Sequence, residues 1–497
     1  MIMGTRRWAP LFAIVFGKRS WALAISTTSA VSMVLTGLIT SRLGARNLSA
    51  EELQLWFLML GALPFCMLLD LGAYSIVPGK MSYYGQAGEP RRVREYVATF
   101  FQTAMGTIAA VAALAALIVP WIGGRWFSAA EVGTLAMLLI VAIACRVAQN
   151  VLLGIIFAAG HIPMEKTLKT VGSIAAVAPM PFLLSHGYSV FAMPWSWLIS
   201  STFVLTIAAR HISRRITPLF DRTLFSASLS REVLGTSGKF LVAALPGMFI
   251  YNILPYRVAH DFGAALTVQI GLAAQISMGV TLLCSIPTSL LVKRIADEYF
   301  ARSGGEGSNA GLIRNVRIVS VLSSGALATV FVFHEQIFQL WLGKHVPFDT
   351  RFLLLYLVAI WFEIQQTTLT TSLVSTGYVN FWRVTVLSAV LTVVAYTPFI
   401  RWFGFCGVAL ACLVAQLLTC HYWNTRQTLR TFGLPVLAYL RQHAISALLV
   451  ALIALAGRAE ALAGGVLGLL LSSGLIGLAL ITLFLDRRHE QGTLPRA

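Results

Sequence analysis

Charge is scarce in this chain: Asp, Glu, Lys and Arg make up 11% of 497 residues, against about 25% in a typical soluble domain. A soluble globular fold is thereby excluded. Cysteine is also sparse. The six present, Cys66, Cys145, Cys284, Cys406, Cys412 and Cys420, fall inside apolar runs and form no paired pattern in an outer loop, so no disulfide framework is expected. Metal-ligand spacing, a Walker loop, a dinucleotide glycine fingerprint and a nucleophile elbow are missing in any usable context. The nine histidines are scattered. No cofactor, metal or catalytic residue is therefore expected, and ATP-driven transport by this chain alone is disfavoured. Long loops are lacking too, which leaves no room for the outer catalytic domain of a polysaccharide polymerase or ligase.

Hydrophobic residues, by contrast, reach 57%, with a mean hydropathy of +0.78. Apolar runs of the roughly 20 residues that span a bilayer recur about fourteen times, from 21–41 to 463–485. The expected fold is an all-α polytopic membrane protein. The first run lacks a cleavage site and leads straight into further spans, so it reads as a retained helix. Net charge is +18, but its placement argues against nucleic acid. With the amino terminus inside, most Lys and Arg fall on inner tails and loops, in clusters such as Arg91, Arg92 and Arg94, or Arg210, Arg214, Arg215 and Arg222. Both termini are expected to be cytoplasmic, with membrane lipids as partners of the basic clusters.

A constant shift carries Gly160 onto Gly377, Lys166 onto Arg383, Pro181-Phe182 onto Pro398-Phe399 and Gly187 onto Gly404. The pattern predicts two six-helix lobes in parallel pseudo-repeat. The expected segments are an inner amino-terminal or interfacial piece (1–19), a first lobe (20–210), a linker (211–233), a second lobe (234–424), a trailing helix pair (425–486) and an inner tail (487–497). Residues 303–308 read as a flexible polar link.

The fourth run places Arg146 in mid-span, where an arginine costs between about 2.5 and more than 10 kcal/mol and usually faces a bundle interior or wet cavity. Gln149 and Asn150 follow three and four positions later, on the same helix face. The repeat register sets this trio against Glu363, Gln366 and Thr367. Two readings stay open: polar groups lining a central cavity, or a structural ion pair locking the lobes. In the seventh run Pro246-Gly247 and Pro255 are hinge candidates, because each proline removes a backbone bond; Asn252 lies between them. Asp70 is the one acidic residue read within the spans of the first lobe. Capping or local hydrogen bonding is its default role.

Four short motifs carry a resemblance: Thr40-Ser-Arg42-Leu43-Gly44, Leu69-Asp70-Leu71-Gly72-Ala-Tyr-Ser, Leu340-Trp341-Leu342-Gly343 and Gly404-Phe-Cys-Gly407-Val-Ala. Together they resemble the polysaccharide flippases, the O-antigen and exopolysaccharide translocases of the multidrug/oligosaccharidyl-lipid/polysaccharide exporter superfamily. The resemblance implies a multi-pass protein of the bacterial inner membrane with a V-shaped pair of lobes and alternating access. The implied substrate is an undecaprenyl-diphosphate-linked oligosaccharide moved from the cytoplasmic to the periplasmic leaflet. Other polysaccharide-assembly proteins are implied partners, and the trailing helix pair would border a groove for the lipid tail. Within that frame Arg146 would attract diphosphate or acidic sugars, while Gln149, Asn150, Asn252 and Gln366 would bond sugar hydroxyls. Glu363 is the coupling candidate, since a carboxylate's proton affinity depends on its dryness and on nearby guanidinium. The rival readings are a small-molecule or drug exporter, which would want acids in the first lobe, and a lipid II flippase, which would want several cavity arginines in the first two helices. Arg42 sits at a helix end.

Overall fold

The computed structural model describes residues 5–123, 129–303, 309–343, 346–376, 382–463 and 476, and every regular element among them is helical. In chain order these are α1 (Thr5–Asn47), α2 (Ala50–Met67), α3 (Val77–Gln86), α4 (Pro90–Gly123), α5 (Ala129–Ala158), α6 (Ile162–Val177), α7 (Met180–Ser185), α8 (Ala192–Arg215) and α9 (Ala227–Asn252). They are followed by α10 (Leu254–Phe262), α11 (Ala264–Ser303), α12 (Ala310–Val332), α13 (His334–Leu342), α14 (Thr350–Val374), α15 (Trp382–Phe403) and α16 (Cys406–Gln416). A π-type turn (Leu417–His421) then leads into α17 (Tyr422–Phe432), α18 (Val436–Arg441) and α19 (Ala444–Ala463).

Eleven stretches among the described residues, from Ala50–Asp70 to Val436–Leu455, are long and apolar enough to cross a membrane. The chain is a multi-pass membrane protein with the expected all-α fold. Two expected runs are helical but not among the eleven: 21–41 is the middle of α1, and 239–258 is divided between α9 and α10. The last run, 463–485, lies almost wholly outside the described residues, as do the tail 487–497 and residues 304–308 of the polar link.

α1 continues without a break from Thr5, so residues 5–17 are its first turns and not a separate interfacial helix. At 1.5 Å per residue it is about 65 Å long. α2 starts at a capping box: the Ser49 hydroxyl accepts the Glu52 N–H, and the Glu52 carboxylate accepts the Ser49 N–H. The Ser189 hydroxyl donates to the same Glu52 and ties this helix start to the segment before α8.

The chain divides into two compact units, Met1–Asn252 and Ile253–Ala497. In the first, α5 packs on α4 and α8, α6 packs on α1 and α8, and α9 lies on α4 and α2. Its core gathers Tyr96, Phe100, Val147, Val151, Leu152, Ile155, Ile156, Val204 and Ala208, all nearly or fully buried. In the second, α12 lies against α11, α14 and α19, and α14 against α16 and α17. The sequence register placed the seventh run with the second lobe. By contacts α9 sits in the first unit, where Lys80 pairs with Glu232, the Thr103 hydroxyl donates to Ser230 and the Ser237 hydroxyl donates to the Leu71 carbonyl.

The expectation of two kinks in one helix also changes. α9 runs unbroken through Pro246 and Gly247 to Asn252, and the chain breaks at Ile253. Pro255 then occupies the first turn of α10, where its missing N–H and fixed φ suit a helix start.

Candidate functional site

In the first unit the polar groups cluster around α5. Val147, Ala148, Val151 and Leu152 on α5 are core residues, which leaves Arg146, Gln149 and Asn150 on a partly buried face. The Arg146 guanidinium lies over the Trp197 ring of α8, 5.4 Å from its centroid. Such a contact contributes about 0.5–2 kcal/mol, far less than full desolvation of the charge. Among the described residues Arg146 makes no ion pair. One turn on, Gln149 approaches α6 at Gly172: a Cβ there would lie 3.4 Å from the Gln149 amide nitrogen and 3.0 Å from Val204. The Gln149 Oε1 is buried with no protein donor. Asn150 differs, for its Nδ2 donates to Asp70 Oδ2 at 2.6 Å. The predicted trio therefore separates into a cation with no ion pair and an amide oxygen with no donor among the described residues, and an asparagine already engaged.

Asp70 explains the motif around it. Its Oδ1 accepts the Gly72 N–H at 2.8 Å, closing an Asx turn that ends the second span. Leu71 and Gly72 follow at φ 56 and 74, and a Cβ at Gly72 would meet Ile76 at 2.9 Å, so glycine is required there. One carboxylate thus shapes the turn and ties it to α5, while Ser237 on α9 bonds the Leu71 carbonyl. Three helices meet on four residues.

Next to this turn lies a cluster that sequence reasoning missed. Glu165, on the first turn of α6, is fully buried. Its carboxylate accepts the Tyr74 hydroxyl at 2.8 Å and pairs with Lys169 at 2.8 Å and Lys166 at 3.2 Å. The Lys169 ammonium lies 4.2 Å from the Tyr74 ring centroid. A carboxylate at zero exposure needs such pairing. The available signal was the spacing Glu165-Lys166…Lys169 with Tyr74 inside the Asp70 motif, but acid and base at a helix start read as an ordinary solvated end.

In the second unit Glu363 sits midway along α14, partly buried. It accepts the Thr367 hydroxyl at 3.3 Å and hydrogen bonds Gln416 at the end of α16. Gln365 donates to Ser323 and Trp361 to Ser324, at 3.0 and 2.8 Å, fixing α14 on α12. Gln366 keeps a buried Oε1 with no protein donor, as Gln149 does at the register-equivalent place. Asn252 donates its amide to the Met248 carbonyl of its own helix at 2.7 Å. Among the described residues no three His, Cys, Asp or Glu gather as a metal site.

No family model and no curated protein matches the chain. Solved structures do. A lipid II flippase MurJ in an inward closed conformation aligns with TM-score 0.63 at 11% identity, over 93% of this chain and 99% of that one. An inward-facing multidrug resistance MATE family transporter of the MOP superfamily aligns with TM-score 0.65 at 14% identity, over 82% and 98%. A mutant of the Vibrio cholerae MATE transporter VcmN aligns with TM-score 0.59 at 13% identity, over 84% and 97%. At these identities the likeness is one of fold, and it extends over nearly the whole length of each.

Proposed function

We propose that this chain is a flippase for a lipid-linked oligosaccharide, working by alternating access and coupled to an ion gradient. Its cargo is a diphosphate-bearing glycolipid of the undecaprenyl type, carried from the cytoplasmic to the periplasmic leaflet for surface polysaccharide assembly. The observation that carries this reading is Arg146: a guanidinium in the middle of the Gly133–Ala158 span with an aromatic ring beside it and, among the described residues, no carboxylate paired to it. Such a charge is held for an anion, and a diphosphate matches its fork of donors. The unpaired Oε1 of Gln149 one turn away accepts a sugar hydroxyl in the same pose. Asn150 and Asn252 take structural roles, since each amide already has a partner. Glu363 is the coupling group, with the break at Ile253 and Pro255 as the flexible joint. The fold supports the reading because one solved neighbour is itself a lipid II flippase.

A drug exporter is the second reading; two of the solved neighbours are MATE transporters, and a residue of this chain favours it as well. Glu165 adds a buried acid to Asp70 within the spans of the first unit. Both acids are engaged, however, Glu165 by two lysines and Asp70 by a turn and an amide, while Arg146, in mid-span, has no ion pair among the described residues. Deleting the gene distinguishes the readings. A flippase predicts loss of surface glycan with accumulation of its lipid-linked repeat unit; an exporter predicts normal glycan and altered resistance to cationic compounds.

A further inference from the structure

α14 and the segment of the π-type turn and α17 run parallel in one fixed register. The Phe362 and His421 rings meet at 4.7 Å, and the Thr428 hydroxyl, which donates to the Asn424 carbonyl of its own helix, lies 3.5 Å from the Leu369 carbonyl, an offset of 59 residues in both inter-helix pairs. The same offset sets Gln366 level with Thr425. Along this contact four polar atoms are buried with no hydrogen-bond partner among the described residues: Gln366 Oε1 and Thr370 Oγ1 on α14, and His421 Nδ1 and Thr425 Oγ1 on the facing segment. On each segment the two stand four residues apart, hence on one helix face. Folded chains leave few buried polar groups unmet, and buried water is their usual partner. Four in register make a stripe, not scattered defects.

The stripe begins at Glu363, one turn before Gln366, and reaches Thr370 about 10 Å further toward the shared helix ends at Val374 and Phe432. The π-type turn Leu417–His421 directly follows Gln416, which bonds Glu363; such turns commonly mark functional positions.

We propose that this seam is a water-filled path joining Glu363 to the end of the second unit where α14 and α17 terminate, and that it carries the protons that load and unload Glu363. The proposal rests on the coupling role given to Glu363 above. Gln366 and the two threonines hold the water chain, and His421 passes protons by its two ring nitrogens. The other titratable groups around Glu363 are the thiols of Cys412 on α16 and Cys420 in the turn, with His443 within electrostatic reach of His421. Under the positive-inside topology the path opens to the cytoplasm.

Silver ion, which follows narrow water-filled routes and blocks thiols, is the probe. Thr370→Cys and Thr425→Cys are each placed in full-length protein whose six native cysteines are alanine, in sealed right-side-out and inverted vesicles. Silver block is read as lost maleimide labelling after unfolding. Both cysteines are expected to react at least tenfold faster than Leu353→Cys and Leu373→Cys, whose native side chains are fully buried, and from the cytoplasmic side only. Rates no faster than at 353 and 373, or equal from both sides, overturn the path. Should the cysteine-free chain fail to fold, radiolytic hydroxyl labelling of the unaltered protein decides: His421 oxidised well above the buried Phe352 supports the path, and oxidation at the Phe352 level overturns it. A silver-accessible seam with Glu363→Gln leaving the pH dependence of transport unchanged keeps the path and removes the coupling role, so the two failures are distinguishable.

Discussion

At the scale of single residues, the polar groups of the first unit divide by whether they have partners. Arg146 has a ring and, among the described residues, no counter-charge, so its removal releases a desolvated cation and does not break a pair. Arg146→Ala is expected to lower glycan export at least tenfold with protein abundance unchanged, measured by surface polysaccharide against immunoblot. Arg146→Lys is expected to retain part of the activity, because a lysine keeps the charge and loses the fork. Asp70 is the opposite case. Asp70→Ala strands both the Gly72 N–H and the Asn150 amide, and at about 1–3 kcal/mol for each buried orphan a clear drop in thermal stability in detergent is expected. Asp70→Asn, which keeps an acceptor for Gly72, is expected to be much milder. Glu165→Ala leaves two lysines without their buried carboxylate. Breaking such a pair costs about 3–5 kcal/mol when buried, and less here because each lysine side chain is 24% exposed. A Glu165→Gln, Lys169→Gln double variant is expected to recover part of the melting temperature lost in Glu165→Gln alone.

At the scale of elements, close helix contact sets what can be substituted. A Cβ on Gly407 would lie 2.1 Å from the Phe399 carbonyl oxygen, which is backbone and has no rotamer to change. Gly407→Ala is therefore expected to force α15 and α16 apart, at an overpacking cost of about 1–3 kcal/mol or more, visible as a lowered melting temperature. Gly154 makes the like contact in the first unit, 2.6 Å from the Ala73 Cβ beside the Asp70 turn. Element existence was legible from the apolar runs, since hydropathy over about 20 residues reports a span directly. Boundaries were less so. Nothing in the pattern shows that residues 5–17 continue into α1, or that Pro255 starts a helix while Pro246 sits inside one; a proline's effect depends on whether the preceding turn is held by neighbours. The α5 face carrying Arg146 and Gln149 was readable from its helical periodicity. That Asn150 serves Asp70, and that Tyr74 bonds Glu165, was not, because those contacts join residues 80 and 91 positions apart; the lysines at Glu165 are local, but their spacing does not show that the carboxylate is buried.

At the scale of the molecule, the two units present different chemistry. The first offers a cation with no ion pair among the described residues, and, separately, two lysines around one buried carboxylate. The second offers a carboxyl among amides, hydroxyls and histidines. This asymmetry suits a protein that holds an anionic headgroup with one unit and responds to protons with the other. In the sequence register the two sets correspond, Arg146 with Glu363 and Gln149 with Gln366. Assignment of α9 to the first unit was beyond its reach, because that helix is placed by Ser237, Ser230 and Glu232, three polar contacts that carry no hydropathy signal.

The most direct test is to replace the chromosomal gene with the Arg146→Ala form and to quantify undecaprenyl-diphosphate-linked oligosaccharide by membrane leaflet together with surface glycan. The account predicts that the lipid-linked repeat unit accumulates on the inner leaflet while surface glycan falls, at normal protein level. Normal glycan with no accumulation, in a strain where the variant is abundant and folded, would contradict it.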